Sequence, residues 1–123
     1  MAAPNLVNVT SILGKLYVAN LGTTLTTQLV ANGNNSDKLL KINSIIVANV
    51  DGSNAVDVDV ALDLASDSRF YLAKTVTVPA DSTLIVLGKD APIYLEENDR
   101  IQAHASAASD LEIIISYEEI DDA

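Results

Sequence analysis

The sequence predicts an all-β protein: a single-domain antiparallel β-sandwich, jelly-roll-like, with about eight strands. Three observations favour this fold. Apolar and polar residues alternate more strictly over residues 56–64 than elsewhere, with Ala61 on the polar side, and this is the period of a strand with one face on a core. Turn formers separate short apolar runs, and no stretch shows an apolar stripe of helical period and length. Aromatic residues make up only 4% of the chain, so the core must be built from Val, Ile, Leu and Ala, of which Val and Ile favour strands.

The start of the chain is predicted to be a separate element. Residues 1–13 form an N-terminal arm or a first strand, with Pro4 fixing extended backbone and Gly14 breaking the strand, and residues 14–123 form the sandwich. An apolar, extended segment of this kind can add to a sheet edge of a neighbouring subunit. The predicted subunit contacts, from this segment and from the acidic C-terminal end, are Pro4, Asn5, Leu6, Val7, Val9, Ile12, Glu118 and Glu119.

Two short strands are expected next. The first covers residues 15–19 and carries Leu16 and Val18 inward, and the second covers residues 23–31. Residues 32–37, which read NGNNSD, are almost pure turn formers and predict a loop.

The central part of the chain predicts a hairpin. Residues 41–50 are apolar on both faces, because Ile46 is out of phase with Ile45 and Val47, and a strand covered on both sides has this pattern. The turn formers DGSN at 51–54 then lead into the alternating strand described above.

The polar face of that alternating strand holds Asp57, Asp59 and Asp63. Carboxylates about 6–7 Å apart along a strand are compatible with a calcium site. The stretch lacks the pattern of a calcium-binding loop, in which a glycine follows three spaced acidic positions. Since inward-apolar, outward-polar alternation already explains these residues, we expect a face turned to solvent or to a neighbouring chain, without a metal.

Further strands are predicted over residues 70–78, 84–87, 92–95, 100–105 and 111–117. On the first of them one face is predicted to hold Phe70, Leu72, Val76 and Val78. The strand over 100–105 turns Ile101, Ala103 and Ala105 inward, and the last strand turns Tyr117 inward with its alternating aliphatic residues.

Composition and motifs argue against several classes of function. A net charge of −10 with no basic run argues against nucleic-acid binding, and the absence of cysteine excludes disulfides and thiolate chemistry. No apolar run approaches the ~20 residues of a membrane span, and the first residues do not form a secretion signal. His104, the single histidine, is expected on the exposed face with Arg100 and Gln102, and no nucleophile motif accompanies it. We therefore expect no catalytic residue, no metal site, no cofactor and no enzyme.

Three pieces of the sequence are distinctive: YLAKTVTVPADSTL at 71–84, PIYLEEND at 92–99 and ISYEEI at 115–120. Together with KINSIIVANVDGSNAVDVDV at 41–60 and PNLVNVTSI at 4–12, they resemble small virion structural proteins of tailed phages, particularly those of cyanobacterial and marine phages. The resemblance extends over residues 4–120 and consists of strand and turn signatures. Asn98 departs from it, because glycine is expected in the turn after LEE. Since Asn also tolerates left-handed backbone, the turn should survive.

The resemblance implies a virion protein, made in the cytoplasm of a bacterial host, that acts as a homo-oligomer with other phage structural proteins. The first expectation is a capsid decoration or cement protein, which binds the assembled head and bridges major capsid subunits. One alternative is a neck, collar or tail accessory protein, including a fibre-attachment module. An alternative of another class is a glycan-binding β-sandwich, whose aromatic platforms would come from Tyr17, Tyr71, Tyr94 and Tyr117.

Overall fold

The computed structural model describes residues 10–30, 37–66 and 68–121, which form nine strands and no helix. The strands are β1 (Ser11–Asn20), β2 (Thr26–Val30), β3 (Lys38–Asn49), β4 (Val56–Asp63), β5 (Arg69–Val78), β6 (Thr83–Leu87), β7 (Ile93–Leu95), β8 (Arg100–Ala105) and β9 (Leu111–Asp121). The predicted all-β class is confirmed. The described residues form nine strands, against about eight expected, and the three-residue β7 lies within the predicted strand over residues 92–95.

The strands form two antiparallel sheets. Sheet A has the order β1-β9-β3-β6, with β7 following β6 along the same edge of β3, and sheet B has the order β2-β8-β4-β5. The described chain folds back on itself as one long hairpin, whose two halves pair from the ends inward. The pairs are β1 with β9, β2 with β8, β3 with β6 and β4 with β5. The pairings of β9 with β3 and of β8 with β4 wrap this hairpin into two sheets, which is the topology of a jelly roll.

The core lies between the sheets and is almost entirely aliphatic. Its fully buried side chains alternate along the strands, as the sequence predicts for β4, β8 and β9. From sheet B they include Val56, Val58, Val60, Ile101, Ala103 and Ala105, and from sheet A they include Ile42, Ile45, Val47, Leu111, Ile113 and Ile115.

Buried asparagine and aspartate side chains hold the loops at the two ends of the sandwich. Asn49 ends β3 and donates through Nδ2 to the carbonyl of Val78 on β5 at 2.9 Å, which ties sheet A to sheet B. Its Oδ1 accepts from the backbone N–H of Asp51, whose own carboxylate accepts from the N–H of Ser53. These bonds satisfy polar groups that burial would otherwise leave without partners.

The turn between β7 and β8 is closed in a similar way. Asn98 has a φ of +66°, so the prediction that this residue would take left-handed backbone is confirmed. The buried Asp99 accepts from the N–H of Glu96 at 2.9 Å and from the N–H of Ala65 at 3.0 Å. The carboxylate therefore joins this turn to the loop after β4.

The predicted hairpin of β3 and β4 is wrong. β3 belongs to sheet A and β4 to sheet B, and residues 50–55 cross between the layers. Alternation specifies which face of each strand turns inward but does not specify its neighbours. A six-residue connection gives the chain room to change sheets, which a two-residue hairpin turn does not.

The first strand also differs from its prediction. β1 runs through Gly14 without a break, and Leu16 and Val18 point outward, whereas Tyr17 and Ala19 pack against the core. Both rows of this strand are largely apolar, so the sequence contains no signal for the inward face. The hydroxyl of Tyr17 donates to Oε1 of Gln28 on β2 at 3.0 Å, which satisfies the polar end of the ring turned inward.

β5 does not keep the single alternation predicted for it. Its pairing with β4 shifts register twice, so Ala73 and Val76 face the core, whereas Phe70 is largely exposed. Thr75 lies at one shift with a φ of +50°. Left-handed backbone is unfavourable for a β-branched residue, so this bulge needs support from its surroundings.

The assignment of Val58 to the inward face of β4 can be tested by placing a charge at this residue. Val58→Asp places a carboxylate without a partner in the centre of the core, and we expect it to lower the free energy of unfolding by about 3–5 kcal/mol in urea denaturation. Val50→Asp makes the same change at an exposed valine and should cost little. Equal stability of the Val58 variant and the parent would mean that the faces of β4 are assigned incorrectly.

Candidate functional site

The outer face of sheet A contains an unbroken row of aliphatic side chains. Val18 on β1 lies opposite Ile114 on β9, Ile114 lies opposite Ile46 on β3, and Ile46 lies opposite Ile85 on β6. Directly opposed residues project from the same face of a sheet. The four side chains therefore form one apolar row that crosses the four strands of sheet A over about 14 Å.

The apolar row is accessible from outside. Ile85 at one end is 65% exposed and Val18 at the other end is 59% exposed. An open groove of about 340 Å³ lies at the β1 end, lined by Val18, Ala19, Asn20, Glu112, Ile113 and Ile114. Beside the row, Leu16 is also 65% exposed and faces outward from β1. An apolar strip of this length is unusual on a surface that meets only water.

Charged residues flank the apolar row on both sides. Glu112 lies opposite Ala48 in the next row, and Glu118 lies opposite Lys41 and Gly14 further along the strands. The chain as a whole has a net charge of −10. A partner with an apolar patch and a basic rim would therefore complement this face both at contact and at long range.

The outer face of sheet B is of the opposite kind. Arg69 on β5 binds Asp63 on β4 through two hydrogen bonds, Nε to Oδ1 at 2.7 Å and Nη2 to Oδ2 at 2.9 Å. The same Nη2 donates to Oε1 of Gln102 on β8 at 3.1 Å. The Arg69 guanidinium lowers the pKa of the Asp63 carboxyl below its ordinary value, mainly by hydrogen bonding to it.

A second polar cluster on this face surrounds Asp59. Its Oδ1 accepts from the N–H of Thr75 at 2.6 Å, which holds the left-handed bulge of β5 in place. Its Oδ2 lies 3.6 Å from Nζ of Lys74 and 3.7 Å from Nε2 of His104. Asp59 and Asp63 are buried beneath these side chains, so the expected solvent exposure of these two aspartates is wrong although their face is as predicted.

His104 lies on the outer face of β8 as predicted, and its side chain is half-buried rather than exposed. Nδ1 of His104 is buried and has no hydrogen-bond partner among the described residues. In the part of the chain that the structure describes, no group of three or more His, Cys, Asp or Glu residues could hold a metal ion. None of the described residues lies in a helix long and apolar enough to cross a membrane.

The predicted subunit contacts fall in three places. Pro4, Asn5, Leu6, Val7 and Val9 lie outside the described residues. Ile12 is on the outer face of β1 and 58% exposed, and its contact role stays a prediction. Glu118 is partly exposed on the outer face of β9, whereas Glu119 binds Lys15 at 3.2 Å and Lys38 at 3.6 Å within its own chain.

The apolar row itself was not among the predicted contacts. A signal for it exists in the sequence, because Ile113, Ile114 and Ile115 are consecutive, as are Ile45, Ile46 and Val47. Such runs indicate a strand that is covered on both faces. In the structure the core covers only one face of each run, and Ile46 and Ile114 on the other face are partly buried.

No protein-family model and no curated protein matches this sequence. Among solved structures, the chain is similar to a protein of Bacillus endospore appendages, described as a novel family of disulfide-linked pili. The TM-score is 0.52 at 11% identity, over 92% of this chain and 88% of that chain. This likeness shows a shared fold.

A second structural neighbour is a pentameric capsid protein isolated from metagenomic phage sequences. The TM-score is 0.40 at 15% identity, and the match covers 97% of this chain and 65% of that chain. This likeness is too loose to show a common fold.

The ion pair of Arg69 and Asp63 predicts a pH dependence. Because the pKa of Asp63 is lower in the folded than in the unfolded chain, its contribution to stability is present above the unfolded value of about 3.9 and is lost as the pH falls through the folded value. We therefore expect Arg69→Gln to destabilise the protein at pH 7 and to do so less and less below about pH 4. Urea denaturation of both proteins across this range measures the difference.

Lys89→Gln removes the same charge from an exposed residue in the loop after β6 and serves as the control. Its difference from the parent should be small throughout. An Arg69→Gln effect of the same size at pH 3 and pH 7 would mean that Arg69 stabilises the fold by packing rather than through the carboxylate.

Proposed function

We propose that this chain is a structural protein of a phage particle, specifically a decoration or cement protein that binds the assembled head through the outer face of sheet A. The observation that supports this most directly is the apolar row of Val18, Ile114, Ile46 and Ile85. The proposed partner is another virion protein that presents an apolar patch with basic residues at its rim. Such a contact would bridge neighbouring major capsid subunits.

The energetics of the apolar row favour a contact repeated many times. Covering one exposed Leu, Ile or Val side chain is worth about 1.5–3 kcal/mol. Covering several such side chains offsets only part of the free-energy cost of association, so the affinity of a single contact would be modest. On a symmetric shell each copy meets an equivalent surface, and the same modest contact is repeated around the particle.

The difference between the two outer faces suits a protein with one side on a shell and one side in water. On sheet B the Asp63 carboxylate is paired with Arg69, and the Asp59 carboxylate lies beside Lys74 and His104 of the same chain. Both carboxylates already have neighbours within the chain and are largely covered. Sheet A, in contrast, leaves Val18, Leu16 and Ile85 without an internal cover.

Two further observations are compatible with this proposal. The sequence resembles small virion structural proteins over residues 4–120, which supports a location in the particle. The chain contains no cysteine, so the disulfide linkage described for the Bacillus appendages is not open to it. Non-enzymatic action is part of the proposal, because no nucleophile motif accompanies His104 in the sequence.

The alternative within the particle is a neck, collar or tail accessory protein, which includes a fibre-attachment module. It would use the same face, and the number of copies separates the two. A cement protein is present in hundreds of copies on the shell, whereas a neck or tail protein occurs as a ring of about six or twelve. Quantitative mass spectrometry of purified particles measures this number.

Glycan binding, the alternative of another class, has less support. Nζ of Lys74 lies 4.7 Å above the ring of Tyr71, so that face of the ring is already occupied. Tyr17 is turned toward the core and bonded to Gln28, and Tyr117 packs against the core. Tyr94 is exposed, but a single platform is a weak basis for sugar recognition.

Particle binding can be tested at the exposed end of the apolar row. Ile85→Lys puts a charge into the row at a residue that is 65% exposed, so folding should be unaffected. We expect the variant to bind particles that lack the protein at least about tenfold more weakly, a loss of about 1.4 kcal/mol. Cosedimentation with the particles at increasing protein concentration measures the affinity.

Phe70→Lys is the matched control, since Phe70 is similarly exposed but belongs to β5 of sheet B. It should bind as the parent does. If the Phe70 variant loses binding and the Ile85 variant retains it, the docking face has been assigned to the wrong sheet.

A further inference from the structure

The outer edge of β1 is the most regular strand edge among the described residues. β1 is a terminal strand of sheet A and pairs with β9 over ten consecutive residues without a register shift. The other edges are short or irregular. β2 and β6 have five residues each and a bulge in their pairing, β7 has three residues, and β5 contains two shifts and the left-handed Thr75.

The hydrogen bonds of β9 show which backbone groups of β1 point to this edge. The N–H of Leu21 donates to the carbonyl of Leu111 at 2.9 Å, in the same register as the rest of the β1–β9 pairing. In an antiparallel ladder every second residue makes such a bond, so the odd-numbered residues of β1 bond to β9. The residues between them turn their N–H and C=O groups to the outer edge: Ile12, Gly14, Leu16, Val18 and Asn20.

An open edge of this kind is a template for another strand, which bulges, short length, proline and lysine normally prevent. β1 contains no proline, and its one charged residue, Lys15, is bonded to Glu119 of the same chain at 3.2 Å. The side chains along the edge are largely aliphatic and about half exposed or more, namely Ile12, Leu13, Leu16 and Val18. A further strand would therefore gain both hydrogen bonds and apolar contacts.

β1 of a second copy is a strand of the right length and regularity to pair with this edge. Antiparallel pairing around a twofold axis has two requirements. Residues with free backbone groups have to lie opposite one another, and the outer faces of both copies have to lie on the same side of the joined sheet. Both are met when the axis passes through a residue of β1, because even-numbered residues then lie opposite even-numbered residues.

Side-chain charge and size select Leu16 as that residue. An axis at Lys15 would place two lysines opposite each other, which is unfavourable. With the axis at Leu16, the two Leu16 side chains meet, and Lys15 lies opposite Tyr17. Val18 of one copy then lies opposite Gly14 of the other, where a Cβ atom would have no neighbour within 4 Å, so the larger side chain has room.

We propose that two copies of this chain associate through the outer edge of β1, as antiparallel strands around a twofold axis at Leu16. The contact is isologous, so it closes on itself as a dimer and makes one continuous sheet from two copies of sheet A. This inference does not depend on the proposed particle binding, since it concerns the edge of sheet A and not its outer face.

The backbone contact can be tested at Gly14 by sedimentation equilibrium of the intact chain at 0.15 M salt. The parent should form a dimer. Gly14→Pro removes an N–H that points to the open edge, and we expect it to raise the dissociation constant of the dimer at least about tenfold. Gly14→Ala is the matched control, because it keeps the N–H and adds a methyl group in open space. It should dimerise like the parent, and circular dichroism checks that both variants keep their strand content.

The side-chain contact is tested in the same way at Leu16. Leu16→Lys brings two charges together at the axis and should also weaken the dimer at least about tenfold. Ile85→Lys changes a side chain that is equally exposed, 65%, at the opposite edge of the same sheet, and it should leave the dimer unchanged. Since Ile85→Lys is expected to weaken particle binding, failure of one proposal is distinguishable from failure of the other.

Cysteine cross-linking tests the register, because the natural sequence contains no cysteine. The two Cα atoms of residue 16 would lie about 5.5 Å apart, within the range that a disulfide spans, so Leu16→Cys should give a cross-linked dimer under oxidation. The two Cα atoms of residue 12 would be about 26 Å apart along the strands, so Ile12→Cys should not.

Four results would each overturn the proposal. The parent stays monomeric at all concentrations, Gly14→Pro dimerises as tightly as Gly14→Ala, Ile85→Lys weakens the dimer as much as Leu16→Lys, or Ile12→Cys cross-links as readily as Leu16→Cys. If Gly14→Pro fails to fold, the comparisons at Leu16 decide the proposal by themselves.

Discussion

Everything in this structure depends on one constraint of strand geometry: in a two-layer sandwich only one face of each sheet can turn toward the core. The inner faces meet this constraint with aliphatic side chains such as Ile45, Ile113 and Val58, which are fully buried. The side chains of the outer faces have to suit the solvent or the protein surface that they contact. Sheet B does so with carboxylates that lie against Arg69, Lys74 and His104, whereas sheet A places a row of aliphatic side chains outside. The two sheets are therefore built for different surroundings.

The same asymmetry appears at the strand edges. The bulge at Thr75 bends β5 and leaves it unsuited to regular pairing, and the carboxylate of Asp59 stabilises this bulge by accepting the Thr75 N–H. β1, at the other side of the molecule, is long and regular and has little cover of its own. One edge is thus held in a form that resists strand addition, and the other edge permits it.

The proposed particle binding would use the outer face of sheet A. Because the sequence contains no cysteine, a disulfide cannot secure this contact, so the proposed attachment would depend on the number and symmetry of the copies.

By itself, the sequence determined the all-β class, the inward faces of β4, β8 and β9, and the left-handed turn at Asn98. These features depend on side-chain alternation and on turn chemistry, which act between residues close in the chain. Only the tertiary structure decided that β3 and β4 lie in different sheets and that Tyr17, not Leu16, turns inward. Both depend on partners distant in sequence: the neighbours of β3 are β9 and β6, and Tyr17 turns toward Gln28. The apolar row is visible in the sequence as runs of isoleucine, but only the pairing of β1, β9, β3 and β6 brings its four side chains together on one face.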